Sequence, residues 1–156
     1  MKTIILILGF VTTFNPSKLS SDSLDYITPT NKLELFFVDD KCGEFGGDEK
    51  IITIYREIFN GPLMANYIQK RMDCKTLKEP VITRAKKRLK VSKDLEALIT
   101  NCVKELAERK HDSIEMPSHS GLFCKVKTTN SSIMITDFPA KRWGNFEVLS
   151  SRLAKL

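Results

Sequence analysis

The sequence lacks the local motifs that mark common catalytic and cofactor sites. It has no GxxxxGK[ST] or GxGxxG spacing, and the Gly-rich loop from Gly43 to Asp48 carries acidic residues that would repel phosphate. His111 and His119 do not stand at zinc-ligand spacing beside a cysteine pair. No signature of an activated nucleophile is present. We therefore expect a protein that is not an enzyme and that uses no metal or cofactor.

Long hydrophobic runs are also missing. The apolar stretch Thr3–Phe14 has 12 residues, whereas a membrane-spanning helix needs about 20. A basic start, a short apolar run and a polar exit at residues 15–18 are typical of a secretory signal peptide. We predict that residues 1–21 are this signal peptide and that residues 22–156 form one secreted, extracellular domain. The alternative is a buried strand at the start of a cytosolic domain.

Cysteine is sparse, but its count is even. An even number in a secreted chain implies two disulfides, with three possible connectivities. The four cysteines are Cys42, Cys74, Cys102 and Cys124. Asn130-Ser131-Ser132 is an N-glycosylation sequon, whereas Pro16 disqualifies the earlier Asn15-Pro16-Ser17.

Apolar periodicity predicts a mainly α fold, resembling a four-helix bundle with short β segments and disulfide bonds. The clearest helix is 91–110, whose apolar residues follow the spacing of one helix face. Further amphipathic stretches predict helices at 48–60, 62–73 and 80–90, and a last helix capped by Asp137. Short extended segments are predicted at 33–39, 122–126 and 133–136. If the helices 48–60 and 62–73 form a hairpin, Cys42 and Cys74 lie near each other.

The chain is basic, with a formal net charge of +6. Its densest group of cations lies on the predicted helix 80–90 and consists of Arg84, Lys86, Lys87, Arg88 and Lys90. Such a face suits an acidic protein, a sulfated polysaccharide or nucleic acid. The alternative is an ordinary solvated helix face. Nucleic acid is disfavoured because no aromatic platforms accompany the cations.

The C-terminal layout resembles the short-chain four-helix cytokines of the interleukin-four and interleukin-thirteen group. A cysteine in FCKVKTTNSS precedes the amphipathic DFPAKRWGNFEVLSSRLAKL, and another lies inside LITNCVKEL. The resemblance implies a secreted protein of the immune response that binds a cell-surface receptor, with a Cys102–Cys124 disulfide. It also implies receptor contacts on the first and last helices, for which the charged candidates are Arg56, Glu57, Arg142, Glu147 and Arg152.

Two other functions stay open at the level of sequence. One is a secreted effector, such as a venom, salivary or host-interaction protein, that binds a target protein or ligand. A large apolar cavity would favour it. The other is an intracellular basic module that binds nucleic acid, for which strong salt-dependent retention on nucleic acid would be the evidence.

Overall fold

In the described residues, one antiparallel sheet carries two α-helices on one of its faces. The computed structural model describes residues 24–112 and 119–156, so the predicted signal peptide lies outside the described residues. The elements are β1 (Leu33–Val38), β2 (Glu49–Arg56), β3 (Leu63–Arg71), β4 (Val81–Lys90), α1 (Lys93–Asp112), β5 (Leu122–Thr128), β6 (Met134–Ala140) and α2 (Gly144–Lys155). The six strands follow the order β4-β3-β2-β1-β5-β6, and each neighbouring pair is antiparallel.

The predicted four-helix bundle is wrong, and the resemblance to four-helix cytokines falls with it. The three segments predicted as helices at 48–60, 62–73 and 80–90 contain the strands β2, β3 and β4. The strand predicted at 33–39 is confirmed as β1, and the two extended segments are confirmed as β5 and β6. The helix predicted at 91–110 is confirmed as α1. The last helix is present as α2, but it begins at Gly144, because Asp137 belongs to β6.

The side chains of β2 fit two periodicities at once. Ile51, Ile54 and Tyr55 follow a helical stripe, but Ile52 lies between them and is fully buried. In the strand, Ile52 and Ile54 face the helices, and Ile51 and Tyr55 are partly buried on the opposite face. A central strand of β-branched and aromatic residues is stabilised by apolar neighbours on both faces. The tertiary context therefore decides in favour of a strand.

The core lies between the sheet and the two helices. Alternate residues of β1 face it, and the helices contribute the apolar stripe predicted for α1 together with the aromatic start of α2. Trp143 is fully buried, stacks on Phe146 with ring centroids 4.5 Å apart, and donates its indole N–H to the carbonyl of Cys102 at 3.1 Å. This contact fixes α2 against α1.

The N-terminus of α2 is capped by a side chain from α1. The carboxylate of Glu105 accepts hydrogen bonds from the backbone N–H groups of Gly144 and Asn145, at 3.0 and 2.9 Å, and pairs with Arg109. Burial raises the pKa of Glu105, but the bonds from Asn145 and Gly144 and the charge of Arg109 outweigh it, so the pKa lies below its usual value. The ionised carboxylate thus stabilises the junction between the two helices.

Candidate anion-binding surface on an edge strand

Strand β4 forms one edge of the sheet. It contains five cations and no acidic residue, and none of its ten residues is buried. The sequence predicts that these cations contact an anionic partner. They are Arg84, Lys86, Lys87, Arg88 and Lys90, and we call them the β4 cations. The structure therefore places the predicted group together, on an exposed edge strand instead of a helix face.

Two irregularities interrupt the pairing of β4 with β3. Lys87 and Arg88 together lie opposite Asn66. Arg88 has a positive φ of 56°, and its backbone N–H donates a hydrogen bond to the side-chain oxygen of Asn66 at 2.9 Å. A second irregularity lies at Thr83, whose hydroxyl donates to the carbonyl of Gln69. Bulges twist an edge and hinder the addition of another strand. The charged side chains, more than the backbone, are thus what β4 offers to a partner.

The β4 cations carry little internal compensation. Arg88 pairs with Glu57 at 3.1 Å, and both side chains are exposed. In the described residues no carboxylate lies within ion-pair distance of the other four, Arg84, Lys86, Lys87 and Lys90. Because like charges on one strand reinforce each other's field, this edge attracts anions at longer range than an isolated cation does.

The connection between β2 and β3 presents two apolar side chains to solvent. We call residues 57–62 the hairpin tip. Ile58 is 67% exposed and Phe59 is 70% exposed. The helix predicted at 48–60 would bury Ile58 on its apolar face, but Asn60-Gly61 after an apolar run is also a strong hairpin signal. That signal could have located the tip.

Of the predicted receptor contacts, Arg56 has a structural role. It ends β2, and its guanidinium donates to the carbonyls of Ile27 and Gly61. Its side chain is only 15% exposed. Arg56 therefore joins the segment before β1 to the hairpin tip and offers little surface to a partner.

The other predicted receptor contacts lie in the hairpin tip and in or just before α2. Glu57 lies in the hairpin tip and pairs with Arg88. Arg142 lies just before α2 and pairs with Glu147 in its first turn, at 3.1 Å, whereas Arg152 is exposed in the last turn. These α2 charges remain a prediction for receptor binding.

The cysteines differ in state. Cys42 and Cys74, which a hairpin was expected to bring near each other, form a disulfide with Cα atoms 5.2 Å apart, and it joins the β1–β2 connection to the β3–β4 connection. The predicted Cys102–Cys124 disulfide is wrong, since both residues are free and buried. Burial, together with nearby acidic groups, raises the pKa of both thiols, that of Cys124 to about 12. Both thiols are consequently neutral and poorly reactive near neutral pH.

The predicted glycosylation site lies in the β5–β6 turn. Asn130 is exposed there, and its side-chain oxygen accepts hydrogen bonds from the backbone N–H and the hydroxyl of Ser132, at 3.1 and 2.8 Å. An exposed turn is where a glycan attaches without disturbing a core. Glycosylation of Asn130 stays a prediction.

The described residues also bear on metal and membrane sites. In 24–112 and 119–156, no group of three or more His, Cys, Asp or Glu side chains is placed to hold a metal ion. Neither α1 nor α2 is long and apolar enough to cross a membrane.

In comparisons with known proteins, no family model, no curated protein and no solved structure matches this chain.

Proposed function

We propose that the protein is a secreted binding protein without catalytic activity, which attaches through β4 to an anionic target at a cell surface. The observation that carries this proposal is the group of four cations on β4, Arg84, Lys86, Lys87 and Lys90, for which the described chain supplies no carboxylate partner. Charges left without an internal partner are available to a ligand, and they accelerate association with an oppositely charged surface.

Two features support secretion. The N-terminal sequence has the order of regions that signal peptides have. The Cys42–Cys74 disulfide suits an oxidising compartment, because thiols in the cytosol are kept reduced. A mass spectrum of the secreted protein would test this part of the proposal. A mature chain that retains Met1 would contradict it.

Binding through β4 can be tested with a sulfated polymer as the probe. In the variant Arg84→Gln, Lys86→Gln, Lys87→Gln and Lys90→Gln, we expect earlier elution from heparin–agarose. The logarithm of the binding constant falls linearly with the logarithm of the salt concentration, and the steepness of that line should decrease by roughly 2 to 3. Four cations fewer on the protein mean that fewer counterions are released on binding.

The matched control removes the same charge elsewhere. Lys75, Lys78, Lys141 and Lys155 are exposed, lie outside β4, and have no carboxylate within ion-pair distance in the described residues. Their replacement by glutamine changes the net charge equally. If both variants elute at the same salt concentration, binding depends on net charge alone and the role of β4 is refuted.

A further inference from the structure

We infer that the anionic target is a lipid bilayer with anionic headgroups, into which the hairpin tip inserts beside β4. This inference rests on the function proposed above and names the partner of the same surface. It is carried by two neighbouring features, the exposed apolar side chains of the tip and the β4 cations. An anionic membrane surface is a partner that uses both.

The tip projects its apolar side chains beyond the sheet. The last residue pair of the hairpin is Arg56 with Leu63, so Ile58 and Phe59 lie past the end of the paired strands. At 67% and 70% exposure, most of both side chains is in water. Two adjacent apolar side chains at an apex give up unfavourable contact with water if they enter the boundary between headgroups and acyl chains.

The tip is held in shape before any partner arrives. The N–H of Gly61 bonds to the carbonyl of Ile58 at 3.1 Å, and Asn60 has φ 57, which is the pattern of a type II turn. A Cβ atom on Gly61 would lie 2.7 Å from Cγ1 of Ile58, so a larger residue there would displace the Ile58 side chain. Arg56 braces the same turn through the carbonyl of Gly61. A preordered tip loses little conformational entropy on insertion.

The C-terminal half of β4 lies beside the base of the tip. The N–H of Val91 bonds to the carbonyl of Leu63 at 2.9 Å, and Arg88 pairs with Glu57 of the tip itself. Lys90, the last residue of β4, adjoins Val91 at the base of the tip, and Lys87 lies about 10 Å farther along the strand at about 3.3 Å per residue, which is close to one Debye length. Both cations are therefore near enough to the tip to contact headgroup phosphates while it is inserted.

A soluble polyanion would use only half of this surface. It would bind the β4 cations but would gain nothing from Ile58 and Phe59. A neutral bilayer would accept the apolar pair but would not attract the cations. An anionic bilayer satisfies both features, and this difference separates the partners experimentally.

The test measures partitioning of the purified protein into vesicles made of equal parts of phosphatidylserine and phosphatidylcholine. We expect the variant Ile58→Ser, Phe59→Ser to lose at least about tenfold in partition coefficient, because two apolar side chains no longer leave water. Its elution from heparin–agarose should not change. The control Val148→Ser, Leu156→Ser removes exposed apolar groups from the region of α2 and should bind vesicles like the unmodified protein.

A second readout reports insertion directly. Trp143 is the one tryptophan of the chain and is fully buried, so a second tryptophan introduced by Phe59→Trp reports on the tip. We expect a blue shift of its emission with the anionic vesicles and none with heparin.

The outcomes separate the two proposals. If the tip variant and the unmodified protein bind vesicles equally, or if heparin is bound and vesicles are not, the lipid inference is overturned while the role of β4 stands. If the β4 variant behaves like its lysine control on heparin, the proposed function itself fails.

Discussion

Replacing Glu105 with alanine should destabilise the protein by removing the cap of α2. The N-cap residue Trp143 supplies no side-chain hydrogen bond, so the carboxylate of Glu105 serves the first turn of that helix. It accepts bonds from Gly144 and from both the backbone and the side chain of Asn145, at 2.8–3.0 Å. The same carboxylate pairs with Arg109.

The expected loss follows from these bonds. Removal of a capping side chain costs about 1 kcal/mol, and hydrogen bonds to a charged group contribute about 1.5–3 kcal/mol. The two figures describe the same contacts and are not added, so we expect a decrease of about 2–3 kcal/mol in the free energy of unfolding. For a chain of this size, that lowers the midpoint of thermal unfolding by roughly 5–10 °C.

The loss should depend on pH in a defined direction. Because the pKa of Glu105 is lowered in the folded state, its stabilisation is complete above the pKa of about 4.3 expected in the unfolded chain. It is lost as the pH falls through the lower pKa of the folded state. The difference in stability between the unmodified protein and Glu105→Ala should therefore be constant near neutral pH and shrink below about pH 4.

Urea denaturation followed by the fluorescence of Trp143 measures this difference. Glu108 lies on the same helix and is exposed, so Glu108→Ala is the control and should change the free energy of unfolding by less than about 0.5 kcal/mol. An equally small change for Glu105→Ala would refute the cap. So would a difference that grows toward acidic pH.

Two further predictions concern the cysteines. Replacing both Cys42 and Cys74 by serine should lower the free energy of unfolding by about 3–4 kcal/mol, because the disulfide closes a loop with a sequence separation of 32; an unchanged urea midpoint would contradict this. Native protein should present no thiol to an aromatic disulfide reagent near neutral pH, and denatured protein should present two, since Cys102 and Cys124 are free and buried. Rapid labelling of the native protein would disagree with their burial, and a denatured protein without thiols would mean that they are bonded to each other.

The sequence predicted those elements whose residues fit one periodicity only. The stripe of α1 has no strand-like alternation, and β1 is short and bounded by Asp39-Asp40, so both were predicted correctly. In β2 and β4 the apolar positions also fit a helix, and the neighbouring strands decide the outcome. In β4, Val81 and Ile82 are exposed, whereas the predicted helix would have buried them in its apolar face.

Prediction of the candidate site divides in the same way. The β4 cations were identified as a group because clustering of charge is visible in sequence at any secondary structure. Pairing of Cys42 with Cys74 was anticipated because a hairpin of either helices or strands returns the chain to its start. The Cys102–Cys124 pairing failed because it depended on a resemblance that the fold does not support. Exposure of Ile58 depends on the turn that follows it.

The Cys42–Cys74 bond also governs how the molecule responds to cutting and to pulling. It closes a covalent ring that contains β2, the hairpin tip and β3. A protease that cut once within the tip would leave both pieces attached to each other. A force applied between residues 24 and 156 would pass through the disulfide and leave the residues between Cys42 and Cys74 unstretched. The fully extended chain would therefore be about 110 Å shorter than without the disulfide. A tip anchored in a membrane would thus stay joined to the rest of the protein through two covalent paths.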